Sequence, residues 1–344
     1  MKSNSFGLDI GTSSIKLAWL GRENNLFEYV SAFFAPSPPI GLQSESVLDH
    51  QEIAQFIKKY VTQAKITTNS VNISLPEGQV FTKVLDMPAL SEKEIANAIY
   101  WEAEQYIPAQ LDAMTLDWSI LRRPFEATSS QKMQVLLVAA PLQLVKRYQT
   151  IIELAGLSVA SIETEIISVV RSLISSKNAP TSLVMHIGSL STSLAIIQGG
   201  IMVFNYSIPL GGIAMTRAIA TDFGLSPTQA EEYKKVYGLS DKNFGGKVGK
   251  AIQPILTEIV AEVRKAIAFY VSRYKSESPL SQILLTGGGA GLPGIDLFLV
   301  QTIGLETVIA NPWKILNIQR VPDALQPYGA EYASAIGLAL KEYE

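Results

Sequence analysis

Apolar residues recur along this chain in two rhythms, and one block of the faster rhythm occurs twice. Residues 6–20 (FGLDIGTSSIKLAWL) and 183–197 (LVMHIGSLSTSLAII) each read as an apolar strand, an Ile-Gly turn, a hydroxyl-rich loop and a second apolar strand. Aligned directly, Ile10 falls on Ile187, Gly11 on Gly188, Ser14 on Ser191, and Leu17 and Ala18 on Leu194 and Ala195. Such self-similarity predicts two halves that begin alike. A helical rhythm follows each hairpin. In the first half, Asp49 as N-cap followed by Ile53, Phe56, Ile57, Tyr60, Val61 and Ala64 at helical spacing predicts one amphipathic helix. In the second, helices are predicted over 211–223 and 226–237, the latter opened by Ser226, Pro227 and Gln229 and closed by Gly238. From 252 to 274, the residues Ile255, Ile259, Val263, Ile267, Tyr270, Val271 and Tyr274 form one stripe of a long helix.

The segment between the halves has its own order: strand 80–87, helix 91–106, strands 115–121 and 133–139, helix 142–155, strand 158–162. This β-α-β-β-α-β succession predicts a small ferredoxin-like domain, with an exposed turn at 126–131. Its first helix opens on a Ser-x-x-Glu capping box, Ser91 and Glu94, carries the acidic set Glu92, Glu94, Glu102 and Glu104, and is expected to stop at Pro108.

Length and composition narrow the function classes. At 344 residues the chain exceeds one compact core, and 47% hydrophobic against 17% charged residues supply well-buried cores. With 28 basic and 31 acidic residues there is no general electrostatic grip for nucleic acid, so no nucleic-acid partner is expected. The absence of cysteine excludes disulfides and thiolate metal sites, and the two histidines, His50 and His186, lie too far apart for a local ligand motif, so any metal would need oxygen ligands. Residues 1–6 lack the apolar core of a leader, and the longest apolar run, 133–145, is too short to cross a bilayer, which predicts a protein kept in the cytoplasm.

Candidate chemistry lies in the turns. In Asp9-Ile10-Gly11-Thr12-Ser13-Ser14-Ile15-Lys16, backbone N–H groups and hydroxyls can converge on phosphate oxygens, Gly11 permits close approach, Lys16 can reach a phosphate, and Asp9 can organise Mg²⁺ through water. Taken alone, the same residues also make an ordinary hairpin with a solvated Asp. The second turn, with Gly188, Ser189 and Thr192, could face distal phosphates from the opposite half, although His186 brings an imidazole and no negative charge there. Gly287, Gly288 and Gly289 follow an apolar strand and would let main chain lie flat against a ligand, as glycines in a plain flexible turn also would. Glu231 and Lys234 stand at i and i+3 on one helix face, suited to a ribose or to a surface ion pair.

In order, LDIGTSSIK, the second glycine-serine loop, AEEYK and LLTGGGAGLPG resemble the superfamily of actin, heat-shock chaperones and sugar kinases. Within it, residues 81–108, FTKVLDMPALSEKEIANAIYWEAEQYIP, resemble the PilM family of bacterial type IV pilus assembly. The resemblance implies an α/β actin-like ATPase fold, two RNase H-like lobes around a nucleotide cleft with an inserted α+β domain called 1C. It divides the chain into the first lobe at 1–80, domain 1C at 81–162, a connecting helix at 163–182, the second lobe at 183–326 and a helix returning to the first lobe at 327–344. It also implies ATP, with Asp9 toward Mg²⁺, Gly11, Thr12, Ser13, Ser14 and Lys16 at phosphate, and Gly188, Ser189 and Thr192 opposite. Gly211 and Gly212 would close the nucleotide edge, Glu231 and Lys234 would approach ribose, and Gly287 to Gly289 would approach adenine and the α-phosphate. The family usually carries Asp where His186 stands, so hydrolysis is expected to be slow or absent. The implied partner is the N-terminal cytoplasmic tail of PilN, which supplies the membrane contact, with other platform proteins and self-association beside it. The related FtsA proteins end in a membrane helix, whereas this chain stops at Glu344 soon after its closing helix. A sugar-kinase reading would need an Asp beside an acceptor hydroxyl, and no motif supplies one.

Overall fold

The computed structural model describes residues 2–344 except 39–41, 43, 108, 125–131, 175, 177, 241–243 and 275–278. The expected helix stop at Pro108 and the expected turn at 126–131 lie outside the described residues. The first sheet is built from β1 (Ser5–Ile10), β2 (Ser14–Glu23) and β3 (Leu26–Pro36), followed by α1 (Val47–Gln63) and β4 (Ser70–Leu75). Then come β5 (Phe81–Met87), α2 (Glu92–Tyr106), β6 (Met114–Arg122), β7 (Met133–Pro141), α3 (Leu142–Leu154), β8 (Ser158–Thr164) and α4 (Glu165–Leu173). The second half runs β9 (Ser182–Ile187), β10 (Thr192–Gln198), β11 (Ile201–Ile208), α5 (Gly212–Phe223), α6 (Pro227–Tyr237), α7 (Lys247–Tyr274), β12 (Gln282–Thr286), α8 (Ile295–Ile303) and β13 (Glu306–Ile309). A short α9 (Pro312–Ile315) and α10 (Ala333–Leu340) close the chain.

The repeat predicted from the hairpins extends to whole sheets. The strand orders are β3-β2-β1-β4-β8 and β11-β10-β9-β12-β13, each an antiparallel trio extended by parallel strands. Even the irregularity repeats: a shift in register falls between Trp19 and Leu20 in β2 and between Ile196 and Ile197 in β10, positions that coincide when the halves are aligned. β1 and β9 are buried along their whole length because helices cover both faces, which is why they read as continuous apolar runs.

The middle segment departs from its expected architecture. Its sheet has three strands, β5-β7-β6, with Ile95, Ile99 and Ala103 of α2 packed on it. β8 pairs in parallel with β4, and Leu144, Tyr148, Ile151 and Ile152 of α3 join the core of the first lobe. The ferredoxin-like reading and its end at 162 are therefore corrected: α3 is the crossover that parallel pairing of β4 with β8 requires, so the last two elements belong to the first lobe. Three smaller expectations shift as well. The N-cap of α1 is Ser46, and Asp49 lies in the first turn, where it accepts from Ser44 and favours the positive helix end. The long helix begins at Lys247, and the closing helix spans only Ala333–Leu340, preceded by a 3-10 stretch at Asp323–Tyr328 that holds Pro327. The capping boxes at Ser91 and Ser226 form as predicted.

α10 is wedged between β1 and α4 with little room to spare. A Cβ on Gly7 would stand 2.1 Å from the carbonyl oxygen of Ala335, and one on Gly337 would stand 1.7 Å from that of Ser168. Backbone cannot yield cheaply at either point, so Gly337→Ala is expected to cost about 3 kcal/mol or more of stability, measured as a shift in the denaturant midpoint. A variant as stable as the parent would show that α10 does not sit this close.

Candidate functional site

The turns that join β1 to β2 and β9 to β10 are built identically and face one another. Gly11 N–H donates to the carbonyl of Ser14 at 3.0 Å, and Gly188 N–H to that of Ser191 at 2.9 Å, aligned positions of the repeat. The hydroxyl of Ser189 donates to that of Ser13 at 2.8 Å, so the two lobes touch through their loops. Thr12 and Ser13 are exposed, and Ser14, Gly188 and Ser189 are half-buried. Hydroxyls and main chain of both halves thus meet where the two turns touch.

Beneath the loops lie ionisable side chains taken out of water. Asp9, near the end of β1, is buried and accepts from Lys16 Nζ at 3.1 Å, its direct neighbour across the strand pair. Burial raises the Asp9 carboxyl above its usual range, with Lys16 opposing. His186 takes the matching place on β9. Its Nδ1 lies 3.0 Å from Thr286 Oγ1, and its Nε2 lies 3.3 Å from an oxygen of Glu165, the first residue of α4. Burial would raise Glu165, but His186 and, less strongly, Lys16 outweigh it and hold the carboxyl below its usual range. Glu77, in a 3-10 turn between β4 and β5, accepts from the Ile166 N–H at 3.4 Å, and burial followed by the charge of Glu165 pushes it up to about 7.

The remaining predicted residues gather around the second loop, in roles that divide. The N–H groups of Gly212 and Ile213 donate to the carbonyls of Gly188 and Ser189, both at 2.9 Å, and a Cβ on Gly211 would meet the Gly188 oxygen at 2.6 Å. Gly211 and Gly212 therefore hold the loop from behind. Lys234 bonds Glu231 at 2.7 Å and donates to the Gly212 carbonyl at 3.0 Å, while Thr216 donates to Glu231 at 2.6 Å, which ties α6 to the start of α5. Burial works to raise Glu231, and Lys234 and Thr216 keep it low. Thr192 is buried and spends its hydroxyl on the Leu210 carbonyl at 2.8 Å, so it shapes the lobe and turns no donor toward the place where the loops meet. Gly287 (φ +81°) and Gly289 pack on Ile187, where added Cβ atoms would stand 2.5 Å and 2.2 Å from it. Gly288 alone of the three faces open space.

Reasoning from sequence passed over Glu165, Glu77, Thr216 and Thr286. An acid in a first helical turn is common for reasons of dipole alone, and nothing in the pattern marked Glu165 as the partner of His186. Among the described residues, no group of three acids or histidines is placed to hold a metal. Asp9 offers a single carboxylate beside the loops, sufficient for Mg²⁺ held through water and insufficient for direct chelation.

The family model for the type IV pilus assembly protein PilM matches residues 7–343. The chain belongs to this family. A chain of the solved PilM–PilN type IV pilus biogenesis complex superposes on this PilM-family protein with a TM-score of 0.87 at 30% identity, covering 100% of both. MreB5 of Spiroplasma citri, solved with ADP, gives a TM-score of 0.51 at 15% identity over 98% of this chain and 96% of its own, a likeness of fold alone. The cell division protein FtsA of Escherichia coli strain K12 is 26% identical over 181 residues, 45% of this chain and 42% of that relative, so the match spans less than half of FtsA. The actin-like ATPase fold implied by the motifs is thus the fold of this PilM-family chain.

The raised Glu77 gives a pH test. Its carboxyl holds a proton in the folded state to about pH 7 and in the unfolded state only to about 4.5. Its favourable share of stability is therefore complete below 4.5 and is lost as pH rises through 7. Glu77→Gln is expected to remove roughly 3 kcal/mol of that loss between pH 4.5 and 8, read by chemical unfolding at both pH values. An unchanged pH slope would refute the assignment.

Proposed function

We propose that this chain is a cytoplasmic ATP-binding scaffold of the type IV pilus inner-membrane platform, which docks the N-terminal cytoplasmic tail of PilN and sets its lobe angle by the bound nucleotide. The observation that supports it best is the contact of Ser13 with Ser189 between aligned turns of the two lobes. A triphosphate bound at these turns in place of that contact would touch both lobes at once, and a ligand that does so favours one lobe angle over others. Thr12, Ser13 and Ser189 would meet phosphate oxygens with their hydroxyls, Lys16 would supply charge, and the open Gly288 would lie along the nucleotide. Gly11, Ser14, Gly188, Gly211, Gly212, Glu231, Lys234, Gly287, Gly289 and Thr192 keep these groups in place. Magnesium, where bound, neutralises phosphate charge and would be held through water at Asp9.

Slow or absent hydrolysis accords with the pairing of the carboxylates. Asp9 is held by Lys16 and Glu165 by His186, so neither is free to take a proton from an attacking water. For the tail, the inserted domain offers a cavity of about 420 Å³ lined by Tyr100, Glu104, Ala109, Gln110, Leu111 and Asp112, beside the exposed ring of Trp101. No helix among the described residues is long and apolar enough to cross a membrane, which accords with membrane contact through the partner.

Titration of a PilN tail peptide with and without ATP tests the coupling. The affinities are expected to differ by about 5-fold or more, the usual range for communicating sites. Equal dissociation constants would remove nucleotide control, and Trp101→Ala is expected to weaken the peptide about tenfold while leaving nucleotide binding intact.

A further inference from the structure

A buried carboxyl stands where the three parts of the chain meet, away from the paired loops. Glu77 follows β4 of the first lobe, is only 4% exposed, and accepts from the Ile166 N–H of α4 at 3.4 Å. Two hydroxyls turn toward it, Thr82 of β5 in the inserted domain and Thr164 at the end of β8, each near enough to favour its charged form. Neither hydroxyl oxygen closes a hydrogen bond, although both are buried and Thr164 is 1% exposed. The second lobe completes the seam: Asn205 of β11 donates to the Thr82 carbonyl at 2.9 Å, and its own amide oxygen is buried without a partner. Val84, Ile166 and Ala195 belong to the apolar cluster of the same seam.

Oxygens that face one carboxyl without bonding to it are arranged as ligands around a shared centre, and the surrounding charges say what that centre is. The charged neighbour acting on Glu77 is Glu165 of α4, an acid that is itself engaged by His186. Among the described residues, no lysine, arginine or histidine forms an ion pair with Glu77. Above neutrality the proton leaves this carboxyl, and a buried charge is costly unless it is paired or bound to a metal. A water molecule would serve the hydroxyls and leave the charge in place. One carboxylate among neutral oxygens matches a single positive charge, whereas Mg²⁺ holds on to several waters that so enclosed a seam would have to strip. We propose that Glu77, Thr82 and Thr164 form a buried site for an alkali cation, sodium or potassium, which fastens the inserted domain to the first lobe beside the second. The cation and a proton compete for Glu77, so the site fills as pH rises and takes over the neutralising role that the proton gives up.

The test is urea unfolding of the full chain in sodium, potassium or tetramethylammonium chloride at equal ionic strength, the last cation being too large to enter. At about pH 8 and about 0.2 M salt, the midpoint is expected to lie at least about 0.5 M urea higher in the better-fitting alkali salt than in tetramethylammonium. At about pH 5, where a proton occupies Glu77, the difference is expected to vanish, and the loss of stability through neutral pH is expected in full only in tetramethylammonium. Glu77→Gln is expected to abolish the difference at the higher pH. Thr164→Val removes one ligand and keeps the carboxyl. Because its hydroxyl has no partner without the ion, this variant is expected to match or exceed the parent in tetramethylammonium and to fall below it in the alkali salt. Equal midpoints in the three salts would mean that water alone serves these oxygens and would overturn the proposal. A difference that persists at the lower pH or in Glu77→Gln would place the ion elsewhere and overturn it as well. Should Glu77→Gln fail to fold, Thr164→Val decides: a change of equal size in all three salts overturns the site, and the reversal between salts supports it.

Discussion

The pair formed by Glu165 and His186 is one of the buried contacts that fix how the lobes sit against each other. It joins the first residue of α4 to β9 beneath the two loops, where neither side chain has much access to water. A buried carboxylate that loses its hydrogen-bond partner costs about 1–3 kcal/mol, because it stays out of water unpaired. Drawing α4 away from β9 would do this to Glu165. The pair therefore resists separation of α4 from β9, while the exposed hydroxyl contact between Ser13 and Ser189 can exchange with water or ligand at little cost.

The inserted domain adds a second tie of another kind. Its strands are bracketed by first-lobe elements, yet its sheet leans on the second lobe: Asn205 donates to the Thr82 carbonyl at 2.9 Å, Gln134 donates to the Tyr274 hydroxyl at 3.2 Å, and Arg273 pairs with Asp86. Behind them, Val84 and Leu136 share a cluster with Val184, Ala195 and Ile197 of the second sheet and Ile166 and Val169 of α4. The seam is polar at its rim and apolar within, so motion between the lobes is felt by the inserted domain as well.

Much of this was legible in the chain because a hairpin repeat fixes both the strand pairing and the turn that goes with it. The shared Ile-Gly pattern led to loops closed by equivalent hydrogen bonds, and capping boxes at Ser91 and Ser226 located two helix starts to the residue. What the pattern could not carry was which sheet a strand joins. β8 has the alternation of any half-buried strand, and its partnership with β4 is decided by α3 packing on α1, a contact distant in sequence. Glycine chemistry was ambiguous for a related reason. A residue without a side chain serves close packing and ligand approach equally well, and only the position of Ile187 shows that Gly287 and Gly289 do the former.

The wedge of α10 between β1 and α4 also bears on how the molecule comes into being. The sheet that begins at Ser5 lacks a cover on one face until residues 333–340 arrive, and Gly7 and Gly337 allow the close approach of that helix. The second sheet meets the same late segment, since Val184, Ala195 and Leu284 share a cluster with Ala333. During synthesis the first sheet, though made earliest, thus stays open on one face until the last helix leaves the ribosome.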